Sequence, residues 1–271
     1  MKKLKNIFIL IVILSAPLPA MVGRQIFPDQ NPLVTIMRDS SKQEKDKLLE
    51  VTQAIIKGAK VNAPSPDIPY LTPLMLAADL GYTDIAKKLI ANGAQINATD
   101  YNNATALFHA TREGHLEVVK FLLENGANVS NITKQGNNIL NQALLVYGAT
   151  LEKKKDPAQY KENLVKIFDL LIAKGVNVNE KGDPNNGALT PIMWAIGWRD
   201  WPIVKLLFGK GADLCIKDGY GNSILTRLPN PKTKLSTTDK NFIEWLRGAY
   251  KLQCEQEKKY EKVSSPVTVR Q

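Results

Sequence analysis

Residues 71–98 read LTPLMLAADLGYTDIAKKLIANGAQINA and contain one complete structural unit of this 271-residue chain. Thr72 stands where a helix N-cap is needed, and Pro73 stands at the first helical position, where its missing N–H costs nothing. Apolar residues between 85 and 90 then follow helical spacing. Gly93 predicts a left-handed turn that ends the second helix, because a residue without Cβ adopts this conformation easily. The stretch therefore predicts two short helices and a turn.

The same pattern recurs along the chain. The glycines that close it are spaced by 35, 33, 49 and 36 residues, and they are Gly58, Gly93, Gly126, Gly175 and Gly211. A period in this range is typical of stacked helical units. The start of the unit varies: Thr190-Pro191 repeats the capping pair, whereas Thr105-Ala106 and Asn138-Ile139 depart from it. These departures predict weaker helix capping in the second and third full repeats.

These units resemble ankyrin repeats, whose hallmark is T-P-L-H-x-A near the start of a 33-residue unit. The resemblance covers residues 46–228 in five degenerate copies. It implies an all-α ankyrin-repeat solenoid of stacked helix-turn-helix units with β-hairpin loops, about five to six repeats including degenerate caps. The sequence departs from the hallmark at the histidine position, which carries Met75, Phe108, Asn141 and Met193.

The third full repeat is longer than its neighbours, and the surplus falls at residues 149–163, ATLEKKKDPAQYKEN. Repeat proteins place such insertions in surface segments that often lie on one face. Two interpretations stay open from the sequence. The insertion is either a solvated loop or helix extended by a turn or two, or it is a recognition loop that departs from a regular surface.

The two ends of the array differ in composition from its repeats. We expect an N-terminal extension at residues 21–45 and an N-terminal half-repeat that begins near Ser41. At the other end, residues 229–255 predict a capping helix with an apolar face, which repeat arrays need. Residues 256–271 are polar, and we expect a disordered tail there.

Residues 1–20 resemble a secretory signal peptide, because Lys2, Lys3 and Lys5 precede an apolar run and then small and helix-breaking residues. Cleavage after Gly23 is the alternative end. An uncleaved membrane anchor is the competing interpretation, although two prolines shorten the apolar stretch. Cleavage predicts an exported protein, periplasmic or extracellular, and the Lys-, Asn- and Ile-rich composition looks bacterial.

The composition offers little material for chemistry. The chain has two cysteines, two histidines and a formal net charge of +10, with acidic residues interspersed among the basic ones. We find no phosphate-binding, zinc-binding or nucleophile motif, so we predict no catalytic residues, no cofactor and no metal. Mixed charge without interleaved aromatic residues argues against nucleic acid. The sequence leaves open whether Cys215 and Cys254 form a disulfide.

The family resemblance implies a monomeric scaffold that binds a partner protein through its concave face and loop tips. The non-consensus positions on that surface, carried over one by one, are Ile68, Leu71, Asp79, Leu80, Tyr101, Asn102, Arg112, Glu113, Lys134, Gln135, Asn137, Leu145, Val146, Leu189, Trp198, Tyr220 and Asn222. For Trp198, packing against the next repeat is an equal alternative. Two other functions stay open: an enzyme or enzyme accessory with a site at 149–163 or the C-terminal segment, and a membrane-tethered adaptor with an uncleaved N-terminal helix.

Overall fold

The computed structural model of the protein describes residues 31–65, 70–150, 156–229 and 235–264, and within these ranges it is helical with no β-strand. We number the α-helices in chain order: α1 (Pro32–Arg38), α2 (Glu44–Ile56), α3 (Pro73–Leu80), α4 (Thr83–Ala91), α5 (Ala106–Glu113), α6 (Leu116–Glu124), α7 (Ile139–Thr150), α8 (Pro157–Ala173), α9 (Pro191–Trp198), α10 (Trp201–Gly209) and α11 (Thr237–Ser264). The first helices α1, α3, α5, α7 and α9 contact one another in order, and the second helices α2, α4, α6, α8 and α10 form a second layer. This two-layer stack is the predicted solenoid.

The core lies between the two layers and follows the small-and-large pattern of the sequence. The alanines of the first helices are fully or almost fully buried, namely Ala77, Ala110, Ala143 and Ala195. Leu74, Leu107, Leu140 and Ile192 are buried beside them. Because an alanine leaves room for the facing helix, consecutive first helices approach closely while the larger side chains fill the space between layers.

Helix capping differs from the prediction in two repeats. Thr72 Oγ1 accepts a hydrogen bond from Met75 N at 3.3 Å, as expected. Asn138 Oδ1 accepts from Asn141 N at 2.9 Å, so the third repeat is capped, because an amide oxygen reaches the same N–H as a hydroxyl. Thr190 makes no such side-chain bond, and α9 begins at Pro191 without it.

The loops between repeats are tight turns, not the predicted β-hairpins, in the described part of the chain. Asp100 N donates to Ala104 O at 2.9 Å, and Asp218 N donates to Asn222 O at the same distance. The residue after each acceptor is already the helix N-cap. No residues therefore remain between the turn and the helix to form the further backbone hydrogen bonds of a β-hairpin.

An asparagine four residues after the closing glycine ties each of several repeats to the next. Asn62 Nδ2 donates to Gly93 O, and Asn62 Oδ1 accepts from Gln95 N, both at 2.8 Å. Asn97 and Asn179 make the equivalent pair of bonds to the turns that follow them. These bridges fix the spacing of neighbouring repeats along their loop edge.

The N-terminal end holds a complete helix pair where the sequence predicted an extension and a half-repeat. Leu33 and Met37 of α1 are fully buried, and α1 packs on both α2 and α3. Lys47 of α2 is 3% exposed, and its Nζ donates to Met37 O at 3.1 Å and to Tyr82 Oη at 2.8 Å. A short helix such as α1 carries too few residues for its period to stand out in the sequence.

The insertion at 149–163 lengthens the two helices of the third repeat within the described residues. Helix α7 continues to Thr150 and α8 begins at Pro157, while residues 151–155 lie outside the described ranges. Tyr160 Oη donates to Arg112 O at 2.8 Å, and Asn163 Nδ2 donates to Gly114 O at 3.0 Å. This part of the insertion therefore supports the end of α5 in the preceding repeat.

The C-terminal helix α11 closes the array against α10. Phe242, Ile243 and Leu246 are buried, and the rings of Trp201 and Phe242 stack with centroids 4.6 Å apart. The helix extends to Ser264, past the predicted end of the cap at residue 255 and into the predicted tail. Residues 265–271 lie outside the described ranges.

A disulfide joins the last turn of the array to the capping helix. Cys215 is bonded to Cys254, with their Cα atoms 5.3 Å apart. Cys215 stands four residues after Gly211, at the position that Asn62 holds relative to Gly58. The covalent link thus replaces the asparagine bridge at the point where the next unit is a single helix.

Candidate interaction surface

In the loops that lead into the full repeats, the residue two positions before the N-cap has positive φ. In the fourth repeat this residue is Ala188 (46°), which directly follows Gly187 (84°). Asn103 (64°), Gly136 (86°) and Gly221 (79°) are residues that tolerate this conformation. Tyr70 (57°) holds the same position, although a side chain with Cβ destabilises left-handed backbone by about 1 kcal/mol. A bulky residue is therefore retained here against a local conformational cost.

An aspartate organises two of these loops in the same way. Asp100 Oδ1 accepts hydrogen bonds from Asn102 N at 2.8 Å and Ala104 N at 2.9 Å. Asp218 Oδ1 accepts from Tyr220 N and Asn222 N, each at 2.9 Å. These Asx-type turns hold the exposed residue that follows the aspartate in one orientation.

Consecutive loops are joined to each other by hydrogen bonds. Lys134 N donates to Asn102 O at 3.0 Å, and Asn131 Nδ2 donates to Asn103 O at 2.7 Å. Further along, Gly219 N donates to Gly187 O at 2.7 Å. These bonds fix the spacing of the second and third loops and of the fourth and fifth loops along one edge of the solenoid.

Large side chains project from this edge into solvent. Tyr70 is 62% exposed, Tyr101 57% and Tyr220 74%, and Lys134 is also exposed. Lys134 Nζ lies 4.0 Å from the centroid of the Tyr101 ring, within cation–π distance. We call Tyr70, Tyr101, Lys134 and Tyr220 the loop-tip row.

A charged network lies beside the loop-tip row, between the first and second full repeats. His109 of α5 is 7% exposed, and its ring nitrogens face two carboxylates: Nδ1 is 3.3 Å from Asp79 Oδ1, and Nε2 is 3.2 Å from Asp100 Oδ2. Arg112 pairs with Asp79 through Nη2, and its Nε donates to Glu113 Oε1 at 2.9 Å. The network joins α3, α5 and the loop, containing Asp100, that leads from α4 into α5.

The charges of this network shift one another's pKa values. Burial alone would lower the pKa of His109, but its hydrogen bonds to Asp100 and Asp79 outweigh burial and raise that pKa. Burial would raise the pKa values of Asp79 and Asp100, yet bonding to His109 brings both below their usual value, aided at Asp79 by Arg112. The network is therefore most stable with both aspartates ionised and His109 protonated.

The structure distributes the predicted partner-binding residues over three kinds of position. Most are exposed or half-buried along the loop edge and the first helices, namely Asp79, Leu80, Tyr101, Asn102, Arg112, Glu113, Lys134, Gln135, Leu145, Val146, Trp198, Tyr220 and Asn222. Leu71, Asn137 and Leu189 are buried. Ile68 lies outside the described residues.

The three buried residues hold the loops and do not form the surface predicted for them. Asn137 Oδ1 accepts from Asp183 N at 2.8 Å, which joins the loops of the third and fourth repeats. Leu189 O accepts from Gly182 N at 2.9 Å, and Leu71 O accepts from Ser65 N at 3.0 Å. Their positions beside the helix N-cap turn them inward, which the family pattern alone did not distinguish.

The tryptophans of the fourth repeat pack internally. Trp198 Nε1 donates to Leu144 O at 3.0 Å, and its ring lies against Gly148 of the preceding repeat. Trp194 is 7% exposed, and Trp201 Nε1 donates to Asp239 Oδ1 at 2.7 Å. Of the two interpretations of Trp198, these contacts favour packing.

Sequence reasoning missed Tyr70 and a groove at the C-terminal end. Aligning the loops by their N-caps would have found Tyr70, because it stands where the other loops have glycine, asparagine or alanine. The groove has a volume of about 710 Å³ and is lined mainly by apolar atoms of α10 and α11, including Phe208, Trp245 and Leu252. Leu252 lies on the capping helix, for which the sequence predicted an apolar face, and it is 64% exposed.

The described residues also bear on metals and membranes. Among them, no group of three or more His, Cys, Asp or Glu side chains is arranged to hold a metal ion. Likewise, none of the helices in the described ranges is both long and apolar enough to cross a bilayer. The predicted signal peptide lies outside those ranges.

Comparison with known proteins supports the repeat assignment. A family model described as ankyrin repeats in three copies matches residues 43–133, and a single ankyrin-repeat model matches residues 189–219. Residues between these matches contain α7 and α8, which continue the stack despite the insertion. The repeat between the two matches has the longest pair of helices in the array, with 12 and 17 residues.

Several curated proteins are similar to parts of the chain. The probable E3 ubiquitin-protein ligase XBOS33 of Oryza sativa subsp. japonica is 37% identical over 98 residues, 36% of this chain and 18% of that protein. The ankyrin repeat and KH domain-containing protein mask-1 of Caenorhabditis elegans is 26% identical over 196 residues, 67% of this chain and 7% of that protein. The human ankyrin repeat and SOCS box protein 6 is 29% identical over 133 residues, 46% and 31% of the two chains.

The chain spans less than a third of each of these three relatives, so the similarity concerns their repeat segments. The helix pairs, the closing glycines and the two family matches agree on the same units. Residues 43–133 and 189–219 match ankyrin-repeat models, and the described helices stack as an ankyrin-repeat solenoid.

Proposed function

We propose that this chain is an exported scaffold that binds a partner protein through the loop-tip row and the first-helix side chains next to it. The observation that carries the proposal is the exposure of Tyr101 and Tyr220 on loops held by Asp100 and Asp218, together with the exposed Tyr70. Tyrosine is enriched among the residues that dominate interface energetics, and a side chain held in one orientation loses little entropy when a partner binds.

The residue types on this surface suit protein recognition. Tyrosine and arginine are enriched among the residues that dominate interface energetics, because they combine apolar area with a polar group. Arg112 is about one-third exposed and already oriented by Asp79 and Glu113, so little side-chain entropy is lost when a partner binds. The side chains of the solenoid edge are therefore pre-organised for contact.

The insertion offers less support for a separate active site. Its described residues Tyr160 and Asn163 bond to the backbone of α5, which is a packing role. No observation on the described residues of the insertion favours catalysis, so we propose a single function, that of a scaffold.

Two features support export. Residues 1–20 have the order of charged, apolar and small residues that signal peptides share. The bond between Cys215 and Cys254 is of the kind that persists in oxidising compartments and is rare in reducing ones. Export places the scaffold in the periplasm or outside the cell.

Affinity capture from the native host with mass spectrometry tests the binding surface. The bait is the chain from residue 21 onward, beside a variant with Tyr101→Ala, Lys134→Ala and Tyr220→Ala. A matched control carries Lys87→Ala, Lys120→Ala and Lys166→Ala on exposed positions of the second helices. We expect one protein captured by the parent and the control and lost with the loop-tip variant. Equal capture by all three folded baits would refute the surface.

The intact mass of the protein recovered from its host tests export. Cleavage after Ala20 predicts a chain that begins at Met21, and the alternative predicts one that begins at Arg24. A full-length mass in the membrane fraction would instead establish the anchored form and remove export from the proposal.

A further inference from the structure

The surroundings of His109 favour two protons on its imidazole ring. Its Nδ1 and Nε2 lie 3.3 and 3.2 Å from oxygens of Asp79 and Asp100. An ionised carboxylate only accepts hydrogen bonds, and a neutral imidazole has only one N–H to donate. Both contacts are therefore hydrogen bonds only when His109 is the imidazolium ion.

The two carboxylates belong to different structural units. Asp79 lies near the end of α3 in the first full repeat, and its backbone oxygen also pairs with His115 Nε2 at 3.0 Å. Asp100 lies in the loop that presents Tyr101, and its other oxygen holds the amides of that loop. His109 thus connects the first repeat, the second repeat and a member of the loop-tip row.

The last repeat contains the same arrangement with a permanent cation. Asp218 Oδ1 holds the loop amides while Asp218 Oδ2 accepts from Arg227 Nη2 at 3.0 Å. Arg227 follows Asp218 by nine residues, as His109 follows Asp100. Since arginine stays charged at every pH at which the protein folds, this position accepts a cation that never titrates. The second repeat carries its titratable counterpart.

We propose that His109 is a protonation-controlled clamp that couples the first two full repeats and orients the Tyr101 loop of the proposed binding surface. Only the expected effect of the clamp on partner binding rests on the proposed function. The geometry and the titration of the clamp depend on the residues of this chain alone.

The groups that face His109 set the direction of its response. Asp79 on α3 and Asp100 in the preceding loop favour the imidazolium, whereas Arg112 on α5 opposes it. Glu113 pairs with the Arg112 guanidinium, and from α8 the Tyr160 hydroxyl donates to the backbone oxygen of Arg112. The sum of these influences and burial is a raised pKa for His109.

The sign of the pH dependence follows from these shifts. A raised histidine pKa stabilises the fold fully below the unfolded value near 6.5, and this stabilisation is lost as pH rises through the folded value. The lowered pKa values of Asp79 and Asp100 add stability above their unfolded value of 3.8, which is lost as pH falls through the folded values. The clamp is complete in the interval between the aspartate and histidine transitions.

Nuclear magnetic resonance titration of the labelled chain tests the clamp directly. The chain has two histidines, so the imidazole signal that disappears in His109→Gln identifies His109. We expect His109 to titrate above 6.5, with both ring nitrogens protonated below its midpoint. The amides of Asn102 and Ala104, which donate to Asp100, should shift with the same midpoint. A neutral His109 at pH 6, or loop amides that do not follow it, would overturn the proposal.

Two exchanges separate the clamp from simple packing. Asp100→Asn keeps a turn-forming side chain but removes one of the two carboxylates that face His109, so it should lower the His109 midpoint. This test does not depend on whether His109→Gln folds. Arg227→His should create a new titration in the Asp218 loop, seen in the Tyr220 and Asn222 amides. If Asp100→Asn leaves the His109 midpoint unchanged and Arg227→His creates no titration in the Asp218 loop, the histidine only fills space.

The same titration distinguishes this proposal from the proposed function. An unshifted His109 overturns the clamp whatever the partner is. Failure of the capture experiment overturns the binding surface but leaves the titration readable. Where both succeed, the captured protein should bind more weakly above the His109 midpoint than below it, and Asp100→Asn should move that transition downward in pH.

Discussion

Replacing Gly148 by alanine tests how the third and fourth repeats pack. Gly148 lies in α7, and in an exposed helix interior this exchange stabilises a protein by about 0.5–1 kcal/mol. At this position a Cβ atom would lie 2.2, 2.3 and 2.4 Å from three ring atoms of Trp198. Such separations are far below van der Waals contact, so the indole ring has to move.

The cost of moving the ring exceeds the gain in helix propensity. Trp198 Nε1 donates to Leu144 O at 3.0 Å, which fixes the ring against α7. Overpacking of this kind costs about 1–3 kcal/mol, and loss of the hydrogen bond adds about 0.5–1.5 kcal/mol. We therefore expect Gly148→Ala to destabilise the protein by about 1–3 kcal/mol, with Tm lower by about 2–4 °C for each kcal/mol.

Urea and thermal unfolding of the parent chain and four variants check this prediction. Gly248→Ala in α11 is the matched control, because a Cβ there would meet no atom within 4 Å, and it should stabilise. In a Trp198→Leu background, Gly148→Ala should change sign and stabilise as well. If Gly148→Ala in the parent chain raises stability as much as Gly248→Ala does, the packing of Trp198 on α7 is refuted.

Three further predictions concern other contacts of the array. Replacing both Cys215 and Cys254 by serine should lower the free energy of unfolding by about 4 kcal/mol, as expected for a disulfide between residues 39 apart, and should make thermal unfolding insensitive to reductant. A parent chain whose thermal unfolding is equally insensitive to reductant would contradict the bond. Tyr70→Gly should raise stability by about 1 kcal/mol by relieving the left-handed tyrosine, yet weaken capture of the partner, and a loss of stability would contradict the strain. Asn62→Ala should cost about 1–2 kcal/mol in urea unfolding through two inter-repeat hydrogen bonds, with Asn92→Ala as a comparison whose side chain bonds only within its own helix.

The repeat itself could be predicted from the sequence because its signals are local. A capping residue, a proline at the first helical position and a closing glycine act within one helix, and the apolar period reports which face is buried. The second helices begin and end close to where the pattern of residues 71–98 implies. The same reasoning missed α1, although Asn31 caps it and Pro32 stands at its first position, because seven residues are too few to show an apolar period.

The candidate surface was predicted only in part, for a physical reason visible at Asn137 and Leu189. Both stand at positions that vary between repeats, but their neighbours in space turn them inward. Trp198 is similar, since Gly148 lies 50 residues before it in the sequence and leaves the space that the ring fills. Tyr101, Lys134 and Tyr220 are exposed, as expected, because they lie in loops where no helix covers their side chains.

The sequence by itself determined the unit, namely the helix pair, its period and the glycine that ends it. The tertiary structure decided which residues meet across units. Asp79, Asp100 and His109 are up to 30 residues apart and come together only because α3 and α5 stack. Cys215 and Cys254 likewise meet only because α11 packs on α10. Local propensity fixes dihedral angles within a few residues, whereas contacts between repeats depend on the rotation and spacing that the whole stack imposes.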